Sequence, residues 1–126
     1  MFEVEISKHS RARQGLSSPV RAAKDLPTLA PKDGFAVTLR VVVEFQDSQL
    51  NERGWFVDTD TLDEIVGDYA QHLASTAWTE LFDIPRPTFE VVAKNTYEAL
   101  RPTIKQLAYV ELVNETLGVR TRYRGQ

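Results

Sequence analysis

A chain of 126 residues and 14.3 kDa has the size of one domain, and domains most often run to roughly 100–150 residues, so two independent modules are not expected. Its 42% hydrophobic and 26% charged residues describe a globular chain of net charge −3, and no apolar stretch nears the roughly 20 residues of a membrane span. Zero Cys removes disulfides, thiolate metal sites, iron–sulfur clusters and cysteine nucleophiles together, and leaves His9 and His72 as the only imidazoles.

Charge is uneven along the chain: net +3 over residues 1–42, −9 over residues 43–100 and +3 over residues 101–126. Solvated faces ordinarily fall this way, while basic ends brought together in space would attract an anionic small molecule such as a phosphorylated one. A pI of 5.4 and the lack of a basic–aromatic motif argue against nucleic acid as a partner. Glu3 and Glu5 stand where a signal peptide needs an apolar core, so a cytoplasmic location is expected, with no membrane partner.

In chain order, Phe2, Val4 and Ile6 alternate with Glu3, Glu5 and Ser7, which predicts a strand over about residues 2–12, with His9, Arg11 and Arg13 continuing its polar face. Pro19, Pro27 and Pro31 prevent a long regular element over about residues 14–34, which reads as a long loop. A second strand follows, with Phe35, Val37, Leu39, Val41, Val43 and Phe45 facing one way and Thr38, Arg40 and Glu44 the other.

Asp58-Thr59-Asp60-Thr61 supplies carboxylates and hydroxyls to free helix amides and to the positive helix end. The helix it opens carries Leu62, Ile65, Val66, Tyr69 and Leu73 on one stripe and ends near Ser75, with His72 an ordinary surface residue beside that stripe. Thr88 is the expected N-cap of a second helix, with Phe89, Val92, Ala93, Thr96 and Leu100 inward and Pro102 as its stop. Two strands close the chain. In Gln106 to Asn114, Leu107, Tyr109, Glu111 and Val113 alternate with Ala108, Val110 and Leu112, and a Leu117-Gly118 turn leads to Val119 to Arg124.

The order is ββααββ, an α+β class with a four-stranded antiparallel sheet and two helices on one of its faces. Such a sheet has two open edges and an uncovered second face, a difficulty proteins commonly resolve by closing a barrel, so self-association is expected.

Gly54-Trp55-Phe56-Val57-Asp58 before the first helix, Pro87-Thr88-Phe89-Glu90 before the second, and Asn114-Glu115-Thr116 after the third strand resemble the 6-pyruvoyl-tetrahydropterin synthase and 6-carboxy-tetrahydropterin synthase family. The order and spacing of these motifs over residues 33–124 carry the resemblance. It implies the tunnelling fold across residues 1–126 as one such domain, with protomer sheets side by side in an oligomeric barrel, a trimer or hexamer. It also implies a small pterin- or purine-like heterocycle as ligand. The family's Glu of E-T anchors the pterin ring and its Thr of P-T-x-E helps line the pocket, which corresponds to Glu115 and Thr88 here, with Glu90 a weaker candidate. Read as residues alone, Glu115 is an exposed hairpin carboxylate, Thr88 an N-cap, and Glu90 a first-turn acid.

Against that family the chain departs at the catalytic groups. Members hold zinc with one His of the first strand and an H-x-H pair opening the second. Asp33-Gly34-Phe35 stands in the place of that pair, which leaves His9 and Asp33 as vestigial metal candidates. The family's catalytic Cys is absent, and Ala77-Trp78 stands where an Asp-His pair would be. The resemblance therefore implies a binding protein that needs no cofactor, zinc included, and no longer catalyses the family reaction. Two other readings stand beside it. One is a pterin- or deazapurine-pathway enzyme, either a lyase with a changed mechanism using His9, Asp33 and nearby acids, or one resembling the metal-independent dihydroneopterin aldolase of the same fold, which moves protons with a Lys; Lys94 and Lys105 are the lysines of the helical and C-terminal part, and neither sits in a matching motif. The other is a structural oligomer that binds protein through Trp55 or Trp78.

Overall fold

The structure, a computed structural model, describes residues 1–14, 34–51 and 58–125. Residues 15–33, which make up nearly all of the expected loop and include Asp33, lie outside the described residues, as do Gly54 to Val57 with Trp55. The elements are β1 (Phe2–Ala12), β2 (Phe35–Phe45), a 3₁₀ turn (Asp47–Gln49), α1 (Thr59–Ala74), α2 (Trp78–Leu81), α3 (Phe89–Leu100), β3 (Leu107–Asn114) and β4 (Val119–Tyr123). The strands form one antiparallel sheet in the order β1-β2-β3-β4.

Both long helices begin where side chains replace the missing backbone acceptors. The Asp58 carboxylate accepts the amides of Asp60 and Thr61 at 3.0 and 3.3 Å and the Thr61 hydroxyl at 3.0 Å. These bonds, led by the Thr61 amide, hold the Asp58 carboxyl below its ordinary range. The Thr88 hydroxyl accepts the Val91 amide at 3.3 Å and starts α3. The stripes of α1 and α3 then bury Leu62, Val66 and Leu73, and Val92, Ala93 and Leu100, against the six β2 residues that alternate from Phe35 to Phe45.

Two sequence expectations change on this frame. Leu107 does not share a face with Tyr109, Glu111 and Val113. Val42 pairs with Tyr109 while Val43 pairs with Leu107, so Ala108 is an extra residue in a β-bulge that turns Leu107 into the core beside Val110 and Leu112. Trp78 is no interface anchor. It opens the short α2, is fully buried, and donates its indole N–H to the Leu73 carbonyl at 3.0 Å, so one protomer already consumes it as core.

At the start of β2 the backbone itself dictates the residue. Gly34 has φ +79°, and a Cβ there would stand 2.6 Å from the Ala12 carbonyl oxygen at the end of β1. The sheet face away from the helices carries Glu5 and His9 from β1, Thr38 and Arg40 from β2, and Tyr109 and Glu111 from β3. Among the described residues no helix is long and apolar enough to cross a membrane.

Candidate functional site

The antiparallel register assembles a small cluster on the open face. Thr38 lies directly opposite His9 on β1 and Val113 on β3. Glu115, two residues beyond Val113, therefore occupies the diagonal position, a separation of about 7–8 Å between Cα atoms that a long side chain spans. Its carboxylate Oε1 accepts a short hydrogen bond from the Thr38 hydroxyl. The same hydroxyl oxygen lies 3.4 Å from His9 Nδ1. A Thr hydroxyl has one proton, so with that proton on Glu115 the contact to His9 requires Nδ1–H to donate to Thr38. Thr38 is only 8% exposed, whereas His9 and Glu115 are exposed, so a buried hydroxyl links two groups that face solvent.

Around Glu115 the neighbouring motif residues serve the turn. Asn114 is buried, its Oδ1 accepts the amides of Thr116 and Leu117 at 3.0 and 3.1 Å, and its backbone carbonyl accepts the Gly118 amide at 2.8 Å. The Glu115 amide donates to the Ala36 carbonyl at 3.1 Å, which ties the base of its side chain to β2.

Thr88 and Glu90 sit elsewhere. With Gln14, Phe89, Asn114 and Thr121 they line a depression of about 250 Å³ on the helix-covered face, and the Gln14 amide donates to the Pro87 carbonyl at 3.2 Å beside it. The cluster of Glu115 and the cleft of Thr88 thus lie on opposite faces of the sheet within one protomer. Lys94 and Lys105 lie in neither place.

Further along the open face Glu111 is 1% exposed, and three arginines cover it. Arg40 Nη1 stands 2.5 Å from Oε1, Arg122 Nη2 2.8 Å from Oε2, and Arg120 Nη1 3.6 Å from Oε1. Arg122 and Arg124 also stack over the Tyr109 ring, at 4.2 and 4.6 Å from its centroid. Arg40 reaches Glu5 at 2.5 Å as well. That hydrogen bond holds the Glu5 carboxyl below its usual range against a smaller opposing effect of burial, and Glu5 together with Glu111 pushes the Arg40 guanidinium further up. The sequence alternation places Arg40 on the polar face of β2 and does not show which carboxylates it meets.

The family's zinc needs three imidazoles converging on one point. Here the one His of β1, His9, has a Thr hydroxyl for its neighbour, and Phe35 in the place of the second-strand pair is buried against the helices. Among the described residues no three His, Cys, Asp or Glu side chains gather.

A solved structure, that of Caenorhabditis elegans 6-pyruvoyl tetrahydropterin synthase, matches with a TM-score of 0.68 at 16% identity, over 99% of this chain and 94% of that one. At that identity the likeness shows the fold, the tunnelling fold that the motif resemblance implies. Comparison with curated proteins finds no match. The family model described as 6-pyruvoyl tetrahydropterin synthase matches residues 34–126, from the glycine that opens β2 through the helices to the hairpin bearing Glu115, and the chain belongs to that family.

Proposed function

We propose that this chain binds a pterin- or purine-like heterocycle through Glu115 and does not perform the zinc-dependent chemistry of its family. The observation that carries the reading is the Glu115 carboxylate, exposed at the end of β3 and held at one oxygen by the buried Thr38 hydroxyl. A carboxylate so held can accept two parallel hydrogen bonds from a ring N–H and an exocyclic amino group, the pattern that pterins and guanine-like rings present. The other half of the reading rests on the donors: zero Cys in the sequence, and one His beside a hydroxyl where three imidazoles would be needed.

Self-association into a trimer or hexamer, through the free edges of β1 and β4, belongs to the same reading, as does a cytoplasmic location. Among the described residues the helices cover one face of the sheet only, which leaves those edges and the Glu115 face available to a second copy.

Calorimetric titration with dihydroneopterin and with a deazapurine tests the proposal. Binding by the parent protein and at least tenfold weaker binding by Glu115→Ala are expected. No heat with either compound, or equal binding by the variant, would reject it. Incubation with dihydroneopterin triphosphate, with and without added zinc, separates binding from turnover. Unchanged substrate is expected, and consumption of it would establish an enzyme instead.

A further inference from the structure

The geometry points to Thr38 as the positioning residue of the Glu115 site: its hydroxyl aims the carboxylate at the ligand, with His9 backing the hydroxyl from the far side. This inference rests on the reading that Glu115 is the ligand anchor.

The local physics favours such a role. An exposed Glu at a strand end samples several rotamers, and ordering a flexible side chain at the moment of binding weakens affinity by the entropy lost. Here the side chain is already restrained by a hydrogen bond from a hydroxyl that cannot itself wander. Thr38 is β-branched, lies in the strand between β1 and β3, and is 8% exposed. Its single proton goes to Glu115 Oε1. Among the described residues Oε2 has no donor, so that oxygen and the remaining lone pair of Oε1 stay available as acceptors for two parallel N–H groups.

His9 completes the line. Its Nδ1 lies 3.4 Å from the Thr38 oxygen, and an Nδ1–H donated there leaves the Thr38 proton no competing direction but Glu115. His9 and Thr38 come from paired strands and Glu115 from the turn just past β3, and they meet because β1, β2 and β3 pair in this register. A purely structural use of the Thr38–Glu115 bond would pin the β3–β4 turn. That turn is already closed by three hydrogen bonds to Asn114, so the contact is spare for stability.

The test uses the full chain, dihydroneopterin as probe, and three variants measured by calorimetry with thermal unfolding alongside. Thr38→Val keeps the shape and removes the proton. It should weaken binding about tenfold, the size of one hydrogen bond to a charged group, while the unfolding midpoint stays within a few degrees of the parent. Thr38→Ser restores a hydroxyl and should restore affinity to within about threefold, a rescue that a merely structural role would not produce. His9→Ala should lose less than Thr38→Val. Should Thr38→Val fail to fold, Thr38→Ala serves in its place. Parent-like affinity in Thr38→Val, or no rescue by Thr38→Ser, overturns the positioning role while the binding reading stands. No binding by the parent protein overturns the binding reading and this inference with it.

Discussion

Arg40 and Glu111 face each other directly across β2 and β3, and Arg40 Nη1 stands 2.5 Å from Glu111 Oε1 on the sheet face away from the described helices. Glu111 is 1% exposed, with Arg40, Arg120 and Arg122 around its carboxylate. Removing the carboxylate leaves three guanidiniums crowded at the centre of the sheet. Breaking a buried ion pair in this way typically costs about 3–5 kcal/mol. Glu111→Ala should fall near the low end, about 3 kcal/mol, because Arg120 and Arg122 still reach solvent. Urea unfolding of parent and variant measures it, and a loss below about 1 kcal/mol would show that the cluster contributes little.

Arg40 also governs how the protein responds to acid. Its hydrogen bond holds the Glu5 carboxyl below the ordinary value of 4.5. A carboxylate whose folded pKa is depressed adds stability above its unfolded pKa, and that stability is lost as pH falls through the folded value. Between neutral pH and about pH 5 the Glu5 contribution should therefore be constant, and below about pH 4.5 it should decline. The Glu5 side chain is 41% exposed, so the effect should stay under about 1 kcal/mol. Thermal unfolding of Glu5→Gln against the parent from pH 7 to pH 3 should show two curves converging in acid.

Trp78 anchors the short α2 beneath the sheet. Trp78→Phe deletes the indole N–H and strands the Leu73 carbonyl, which that N–H meets at 3.0 Å in a fully buried site. An unsatisfied buried acceptor and a small void together should cost about 2–4 kcal/mol. Chemical denaturation followed by circular dichroism reads the loss, and a variant as stable as the parent would contradict the packing described.

Two of the glycines with positive φ, Gly118 and Gly34, each immediately before a strand, should behave differently. Gly118→Ala, at φ +69° with nothing within 4 Å of the new Cβ, should cost about 1 kcal/mol of backbone strain alone. Gly34→Ala adds a clash with the Ala12 carbonyl at 2.6 Å and should cost about 3 kcal/mol or more. Equal losses in parallel thermal melts would mean that the β1–β2 junction yields without strain.

Much of this frame is legible in the sequence. The alternation from Phe35 to Phe45 and the stripes Leu62-Val66-Leu73 and Val92-Thr96-Leu100 are local patterns, and each found the partner face that its period demands. Asp58 and Thr88 were legible for the same reason, since a cap is a contact over two or three residues. What escaped was set by pairing between strands. Leu107 changes face because of a bulge opposite Val42, which no period within β3 announces. Thr38 reads as one polar residue on a strand until the register puts His9 on one side and Val113 and Glu115 on the other. Arg40 and Glu111 are ordinary surface charges in sequence and partners only once β2 and β3 align. Trp78 falls in a connection too short for periodicity to place it, and only the general rule that a large aromatic near a helix end is more often core than interface points to its burial.

The central claim is that a planar heterocycle docks on Glu115. The most direct measurement is a crystal structure of the protein grown with dihydroneopterin. The account predicts a planar ring with an N–H and an amino group both within hydrogen-bond distance of the Glu115 carboxylate and with Thr38 still donating to it. A ring bound away from Glu115, or crystals with no ligand at concentrations that saturate the solution, would contradict it.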